Sequence, residues 1–359
     1  MEPIQTPCSP ILLSHLIEDR PRSLDASVSY LVNRSGVKIR RSTPLMDSVY
    51  LKRGFEPWTP DVVNVSAPLC NTVLVHRYKG GLGDMITMRP GIENLSLTDW
   101  RFIHLAIPKQ YFWIFKDIYK VVLIEHDSLF NEKVVDYKTV REQYSLAIDM
   151  FCPAGVHEAA TQHRPVKGRI HIFCDYLENP PHKPQAPSLN MVSIPLFKFP
   201  RPLVAFQISS ERKEKDWPLT KYTELGLRLL KQGISCVSIH PTDPLPKIPS
   251  LTGLSQEQIA YFFQNYVDIV VGPDSGLLHL ASMLDIPTIW LFGPTDPKTT
   301  LEFYPLADFI HMTEDNSCHR PCYYNSEFNG FRCLDRHGDC MQEIQVTKVE
   351  NKILERLNA

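Results

Sequence analysis

Asp274, Ser275, Gly276 and His279 stand in the run Val270-Val271-Gly272-Pro273-Asp274-Ser275-Gly276-Leu277-Leu278-His279-Leu280. The order is apolar strand, polar turn, apolar helix. Val267 to Val271 is β-branched around one Asp, as a buried parallel strand requires. Pro273 and Gly276 break that strand, and Asp274 or Ser275 can cap the helix that follows. A helix start there, with Gly276 and Leu277 in its first turn, offers unpaired backbone N–H groups and a positive dipole end, which suit a phosphate. Ile286 to Phe292 supplies the next strand. It ends in Gly293-Pro294-Thr295-Asp296-Pro297, a second polar loop at a strand C-terminus, where open α/β sheets bind ligands.

Two further segments carry chemistry-bearing side chains. His76-Arg77-Tyr78-Lys79-Gly80-Gly81-Leu82-Gly83-Asp84-Met85-Ile86 reads as strand, loop and helix, and glycines such as Gly81 and Gly83 let backbone approach a ligand closely. The spacing is neither a dinucleotide fingerprint nor a P-loop. Asp84 is a helix cap, a general base, or both. Gln207-Ile208-Ser209-Ser210-Glu211-Arg212-Lys213-Glu214-Lys215-Asp216-Trp217-Pro218 follows another strand. A charged run is usually a solvated loop. Here Ser209 and Ser210 could donate to phosphate, and Lys215 could neutralise a leaving diphosphate. Asp243, in His240-Pro241-Thr242-Asp243, ends the following strand and could hold ribose hydroxyls.

Of nine cysteines, Cys8, Cys70, Cys152, Cys174 and Cys236 are scattered and read as reduced apolar fillers. Cys318, Cys322, Cys333 and Cys340 crowd into one segment. In a reduced compartment such a cluster favours metal over disulfides, although two disulfides or four thiols would also fit the count. Zn²⁺ and Fe both accept four thiolates, so the metal stays open, and a closed four-thiolate site is structural.

VGPDSGLLHLASMLDIPTIWLFGPTDP, with D-[TS]-G-L-x-H-L-A followed by a G-P-T-D-P loop, resembles the nucleotide-sugar site of the bacterial heptosyltransferase family. The resemblance covers about residues 72–355. It implies the GT-B architecture, two Rossmann-like domains facing a cleft, and an inverting transfer of heptose or a similar sugar from ADP-heptose or another nucleoside-diphosphate sugar. GGLGDMI looks like the family's base-bearing turn, which implies Asp84 as the acceptor of the hydroxyl proton. K-x-W-P implies Lys215 at the diphosphate, and D-S-G-L-L-H places His279 near it. The family has glycine where His240-Pro241 stands, which leaves the nucleotide open. The four cysteines resemble the iron-binding finger of the autotransporter-protein heptosyltransferases. Protein or lipopolysaccharide hydroxyls are the implied acceptors. A modified base in DNA, or a catalytically silent sugar-nucleotide-binding subunit, is the alternative.

The elements around these motifs set the expected organisation. Residues 1–70 carry short β-branched runs and form a β-rich extension. Residues 71–185 alternate strands and helices, with a glycine-loop helix from Asp84 to about Asn94, and read as an acceptor domain. A proline-rich connector leads into a nucleotide-sugar domain over 186–312, whose first helix starts from Thr220 as cap. The cysteine finger takes 313–345 and a terminal helix 346–359. With 359 residues, 43% apolar and 22% charged, the chain is globular. A net charge of -2 sets up no global field for nucleic acid, although Lys38, Arg40, Arg41, Lys52 and Arg53 against Asp47 make one basic stretch. No apolar run reaches membrane-spanning length and no signal peptide is seen, so a cytoplasmic protein and a possible homo-oligomer are expected.

Overall fold

The computed structural model describes residues 30–32, 38–40, 56–58, 69–129, 140, 142–151, 153–154, 157, 166–189, 192, 194, 198–240, 242, 245–311 and 340–358. The first described elements are β1 (Tyr30–Val32), β2 (Lys38–Arg40) and β3 (Glu56–Trp58), in an antiparallel sheet of order β2-β1-β3. The runs expected at 49–52 and 62–65 lie outside the described residues.

By contact, the chain divides into two units. One holds residues 1–80, 88–160 and 170–181; the other holds 81–87, 161–169 and 182–359. The glycine-loop turn around Asp84 therefore groups with the second unit, although most of its helix groups with the first.

The first unit is built on β4 (Leu69–His76), β5 (Phe102–Ile107), β6 (Val121–Glu125) and β7 (Tyr144–Asp149). All pair in parallel in the order β6-β5-β4-β7. Val73, Leu74, Val75, Ile103, Leu105 and Ile107 are buried, as two-sided cover of a parallel sheet demands. Helix α1 runs Leu82–Ser96, two residues earlier than the acidic residue at its start suggested. Asp84 is thus a first-turn residue and not the cap. Short helices α2 (Phe112–Phe115) and α3 (His126–Leu129) follow β5 and β6. Helix α4 (Arg169–Tyr176) buries Ile170, Ile172, Phe173 and Cys174. Cys70 is disulfide-bonded, which corrects the expectation of a reduced thiol there.

The second unit carries β8 (Leu203–Gln207), β9 (Ser235–Ile239), β10 (Ser250–Leu251), β11 (Ile269–Pro273), β12 (Thr288–Phe292) and β13 (Ala307–His311). They form one parallel sheet of order β10-β9-β8-β11-β12-β13. In strand succession that is 3-2-1-4-5-6, the doubly wound dinucleotide-binding order. Its helices are α5 (Leu219–Lys231), α6 (Gln256–Tyr266), α7 (Gly276–Met283), α8 (Pro297–Leu301), α9 (Cys340–Glu343) and α10 (Val346–Leu357). Pro218 holds the cap position of α5, where Thr220 was expected; proline suits a helix start because its missing N–H would find no intrahelical partner. Gly233 ends that stretch at φ 78°, a left-handed conformation that favours glycine. Ser255 caps α6 in a reciprocal box with Gln258.

One apolar core links the strands to the C-terminus. Val204, Phe206, Trp217, Tyr222, Leu225, Ile269, Val271, Ile289 and Leu291 pack with Met341, Ile344, Val349 and Ile353. The buried Trp217 indole N–H donates to the Ile344 carbonyl at 3.1 Å, and Lys221 Nζ donates to the same oxygen at 2.8 Å. Among the described residues, no helix is long and apolar enough to cross a membrane.

Candidate active site at the switch point of the second sheet

The order of the second sheet reverses between β8 and β11. Connections leave these neighbours toward opposite sides, which opens a crevice at their C-terminal ends. The segment after β8 carries Ser209, Ser210 and Lys215. The turn after β11 carries Asp274, Ser275 and the start of α7. Sequence places these groups far apart, and the sheet brings them together.

Lys215 ends a one-turn 3-10 helix, Lys213–Lys215. Its Nζ lies 3.4 Å from Asp274 Oδ2, and the two side chains are only 12% and 15% exposed. Burial by itself would raise the Asp274 carboxyl. Lys215, His279, the Thr295 hydroxyl and Arg169 outweigh it and hold the group below the ordinary carboxylate value.

His279 sits one turn into α7. Its Nδ1 is 2.9 Å from the Tyr304 hydroxyl and its Nε2 is 3.9 Å from Asp274 Oδ1. Its ring meets Trp290 edge-on, with centroids 5.0 Å apart. Burial pushes the imidazole down to about 4; Asp274 opposes the shift, while Lys215 and Arg169 add to it. The ring is therefore neutral at pH 7. Both neighbours are satisfied when the Tyr304 hydroxyl donates to Nδ1 and the ring proton sits on Nε2, toward Asp274.

Ser275 occupies the cap position of α7 but makes no capping bond, and its Oγ is buried without a hydrogen-bond partner. The first turn of α7 then begins at Gly276 and Leu277 with its N–H groups directed out of the helix. The glycines matter through close approach. A Cβ on Gly276 would lie 2.8 Å from Leu82 Cβ and 2.9 Å from the Gly83 nitrogen. A Cβ on Gly83 would lie 3.1 Å from His279 Cδ2. Gly81 has open space around it. The glycine-loop turn and the α7 turn thus lie backbone against backbone, and this puts Asp84 beside the α7 start.

The Asp84 carboxylate is held by both oxygens. Oδ2 accepts the Gly81 N–H at 3.1 Å, and Oδ1 accepts from the Arg169 guanidinium. The Thr87 hydroxyl closes the same helical turn by donating to the Gly83 carbonyl at 2.8 Å.

Other expected site residues serve the loop itself. The Ser210 hydroxyl donates to the Arg212 carbonyl at 2.6 Å, and its N–H donates to Asp216 Oδ1 at 2.6 Å. Ser209 offers its carbonyl to the Gln207 amide. Thr295 is buried at the end of β12. Asp296 caps α8 through the Lys298 N–H. Asp243, Cys318, Cys322 and Cys333 lie outside the described residues. Cys340 opens α9, and a Cβ on Gly293 would lie 2.7 Å from its Sγ.

Arg169 and Tyr304 had no motif to announce them. Each is a single residue whose role depends on a partner distant in sequence. The corresponding edge of the first sheet was missed too. There His76 and Asp149 are register partners at the ends of β4 and β7. Burial and His126 push His76 down to about 3. Burial raises Asp149 to about 6 against the Phe151 N–H and Arg77.

Comparison with known proteins agrees with this geometry. Residues 251–327 match the family model "Glycosyltransferase family 9 (heptosyltransferase)". Lipooligosaccharide heptosyltransferase 2 of Haemophilus influenzae is 28% identical over 130 residues, 32% of this chain and 38% of that protein. Lipopolysaccharide heptosyltransferase 2 of Salmonella typhimurium is 30% identical over 116 residues, 28% of this chain and 33% of that protein. The matched stretch thus spans little more than a third of these relatives' length. Among solved structures, the iron-containing dodecameric glycosyltransferase TibC from enterotoxigenic E. coli H10407 aligns with a TM-score of 0.61 at 18% identity, over 80% of this chain and 76% of that one. E. coli ADP-heptose lps heptosyltransferase II aligns with a TM-score of 0.53 at 15% identity, over 79% and 98%. Over residues 251–327 the chain is thus similar to the heptosyltransferase family, and its parallel sheets have the GT-B glycosyltransferase fold.

Proposed function

We propose that this protein is an inverting glycosyltransferase. It moves heptose or a similar sugar from a nucleoside-diphosphate donor, with ADP-heptose the first candidate, to a hydroxyl on a protein or lipopolysaccharide. The observation that carries this reading is the convergence of Asp84, Lys215 and Asp274, from three separate segments, on the start of α7. One group can take a proton there, one can meet a diphosphate, and one holds the second in place.

The donor diphosphate takes the α7 N-terminus, with the Gly276 and Leu277 N–H groups and the unsatisfied Ser275 hydroxyl as donors. Lys215 meets the charge that grows on the leaving diphosphate, and Asp274 keeps the lysine in place before the donor arrives. Asp84 accepts the proton of the attacking hydroxyl. The new bond joins the acceptor oxygen to the anomeric carbon. The bond from that carbon to the diphosphate breaks, and the nucleoside diphosphate leaves with its electron pair. Neutral His279 shapes the floor of the site and competes for no proton at pH 7. Ser209, Ser210 and Thr295 are further donor-side candidates on the same sheet edge, and Asp243 is a candidate from its place in the sequence.

We further propose that Cys318, Cys322, Cys333 and Cys340 hold one structural iron or zinc. The support is their clustering in sequence, the position of Cys340 against Gly293 at the second unit, and the iron content of the neighbour TibC. Four thiolates leave no open coordination position, so the metal would stabilise the C-terminal segment without entering the chemistry. Self-association is proposed on the dodecameric state of the same neighbour, and light scattering tests it.

Calorimetry with ADP, UDP, GDP and ADP-D-beta-D-heptose tests the transferase reading. Binding of ADP that is weakened by Lys215→Ala supports it. Failure of every nucleoside diphosphate to bind at this helix start overturns it.

A further inference from the structure

We propose that Arg169 is a positioning residue for Asp84, and that Gly168 sets it in place. The inference rests on the reading of Asp84 as the base. Arg169 is the first residue of α4, and its NH1 group donates to Asp84 Oδ1. The other carboxylate oxygen is taken by the Gly81 N–H. A carboxylate bonded through one oxygen can still turn about its χ2. Bonded through both, it presents a fixed edge, and a base needs that orientation toward the proton it accepts.

The preceding residue explains why the guanidinium starts where it does. A Cβ on Gly168 would stand 2.1 Å from the Thr299 carbonyl oxygen and 3.2 Å from its carbonyl carbon. That obstacle is backbone, so no side-chain rotation relieves it. Only glycine lets the chain lie this close to α8. Helix α8 follows the Gly293-Pro294-Thr295-Asp296-Pro297 loop at the end of β12. The loop, Gly168, Arg169 and Asp84 therefore form one chain of contacts within the second unit.

The charges around Asp84 assign Arg169 a second task. His279 faces Asp84 but stays neutral, and Lys215 is paired with Asp274. Arg169 also acts on Asp274 and His279, so its charge reaches across the site. Among the described residues, the Arg169 guanidinium is bonded directly to Asp84. It favours the ionised carboxylate, the form that accepts a proton. Arginine suits this role because its charge is permanent and its fork is planar.

The test has two arms. In ligand-free protein with ¹³C-labelled aspartate, the Asp84 carboxyl is assigned from the signal lost in Asp84→Asn and followed against pH. Its midpoint should rise in Arg169→Ala and return toward wild type in Arg169→Lys. In the second arm, ADP release from ADP-D-beta-D-heptose is measured beside ADP affinity. Arg169→Ala and Gly168→Ala should lower turnover by about 10²-fold, the scale of a misplaced catalytic group, with a several-fold smaller change in ADP affinity. Arg169→Lys should recover part of the turnover. An unchanged Asp84 midpoint in Arg169→Ala overturns the proposal. So does a loss of ADP affinity as large as the loss of turnover, because Arg169 would then act on the nucleotide. A wild-type protein that binds no ADP and releases none overturns the transferase reading instead. The titration would then still decide whether Arg169 governs Asp84.

Discussion

Lys215 Nζ stands 3.4 Å from Asp274 Oδ2, and 59 residues of sequence separate them. Each side chain is largely withdrawn from water. The pair therefore does more than an exposed ion pair, because each group covers the desolvation of the other. It also presents a cation that is already in place when a diphosphate arrives.

Lys215→Ala should leave the Asp274 carboxylate buried without its main cation. Removing one partner of a buried pair costs about 3 kcal/mol or more. The melting temperature should fall, and nucleotide affinity should fall with turnover, because the lysine meets the diphosphate in ground and transition states alike. Urea unfolding and calorimetry on the same preparation measure both. A variant that keeps wild-type nucleotide affinity would place Lys215 outside the donor site.

Asp84→Asn should keep the bond from Gly81, since an amide oxygen accepts as a carboxylate does. It loses the charge that Arg169 pairs with and cannot take a proton. Sugar transfer should drop by roughly 10²-fold or more, with nucleotide binding nearly unchanged. Transfer at the wild-type rate would make Asp84 a helix-start residue alone.

Gly276→Ala and Gly81→Ala should differ sharply. A methyl group on Gly276 meets Leu82 and the Gly83 backbone nitrogen inside contact distance. Overpacking of that kind costs about 1–3 kcal/mol and would push the glycine-loop turn off α7. A methyl group on Gly81 meets nothing within 4 Å. Denaturation midpoints should fall for the first variant and hold for the second. Equal stability of the two would argue against the close packing of these turns.

Low pH should weaken the second unit through His279. Its folded value, about 4, lies below the ordinary 6.5. As pH falls through that window the unfolded chain takes a proton that the folded one refuses. Stability is therefore lost at up to about 1.4 kcal/mol per pH unit between 6.5 and 4. Asp216, raised chiefly by burial, works in the opposite direction toward the acid end. Comparing urea midpoints of wild type and His279→Gln at pH 7, 5.5 and 4.5 isolates the imidazole. The variant should show the shallower decline.

Protein purified under reducing conditions should carry about one iron or zinc per chain, and Cys340→Ser should lower that content. Metal binding to such a set is folding energy, so the loss should appear first as destabilisation of the C-terminal segment. Elemental analysis and thermal melts decide it. Metal-free wild-type protein would refute the assignment.

The inner strands of both sheets were legible because a parallel strand buried on two faces must be largely apolar, whereas the edge strands β10 and β13 of the second sheet were not expected. Leu203–Gln207, Ser235–Ile239 and Phe102–Ile107 are runs of that kind. The α7 turn was legible for a local reason: a proline, a polar pair and a glycine within four residues admit few backbone paths. Where the reading slipped, the competing physics was local too. Pro218, not Thr220, holds the cap position of α5, and α1 begins at Leu82, with Asp84 bonding back to Gly81 from inside the first turn.

Sequence alone therefore determined the alternating α/β pattern, the phosphate-suited turn before α7 and the family that this turn resembles. It could not determine which charges meet. Asp84 finds Arg169 85 residues away, and Lys215 finds Asp274 across the β8/β11 crevice. Such pairs leave no periodicity, since each partner is one polar residue in an ordinary loop or helix start. Only the tertiary structure decided them. The sheet order sets which strand ends lie side by side, and the glycines at 83, 168 and 276 set how closely the turns between them approach.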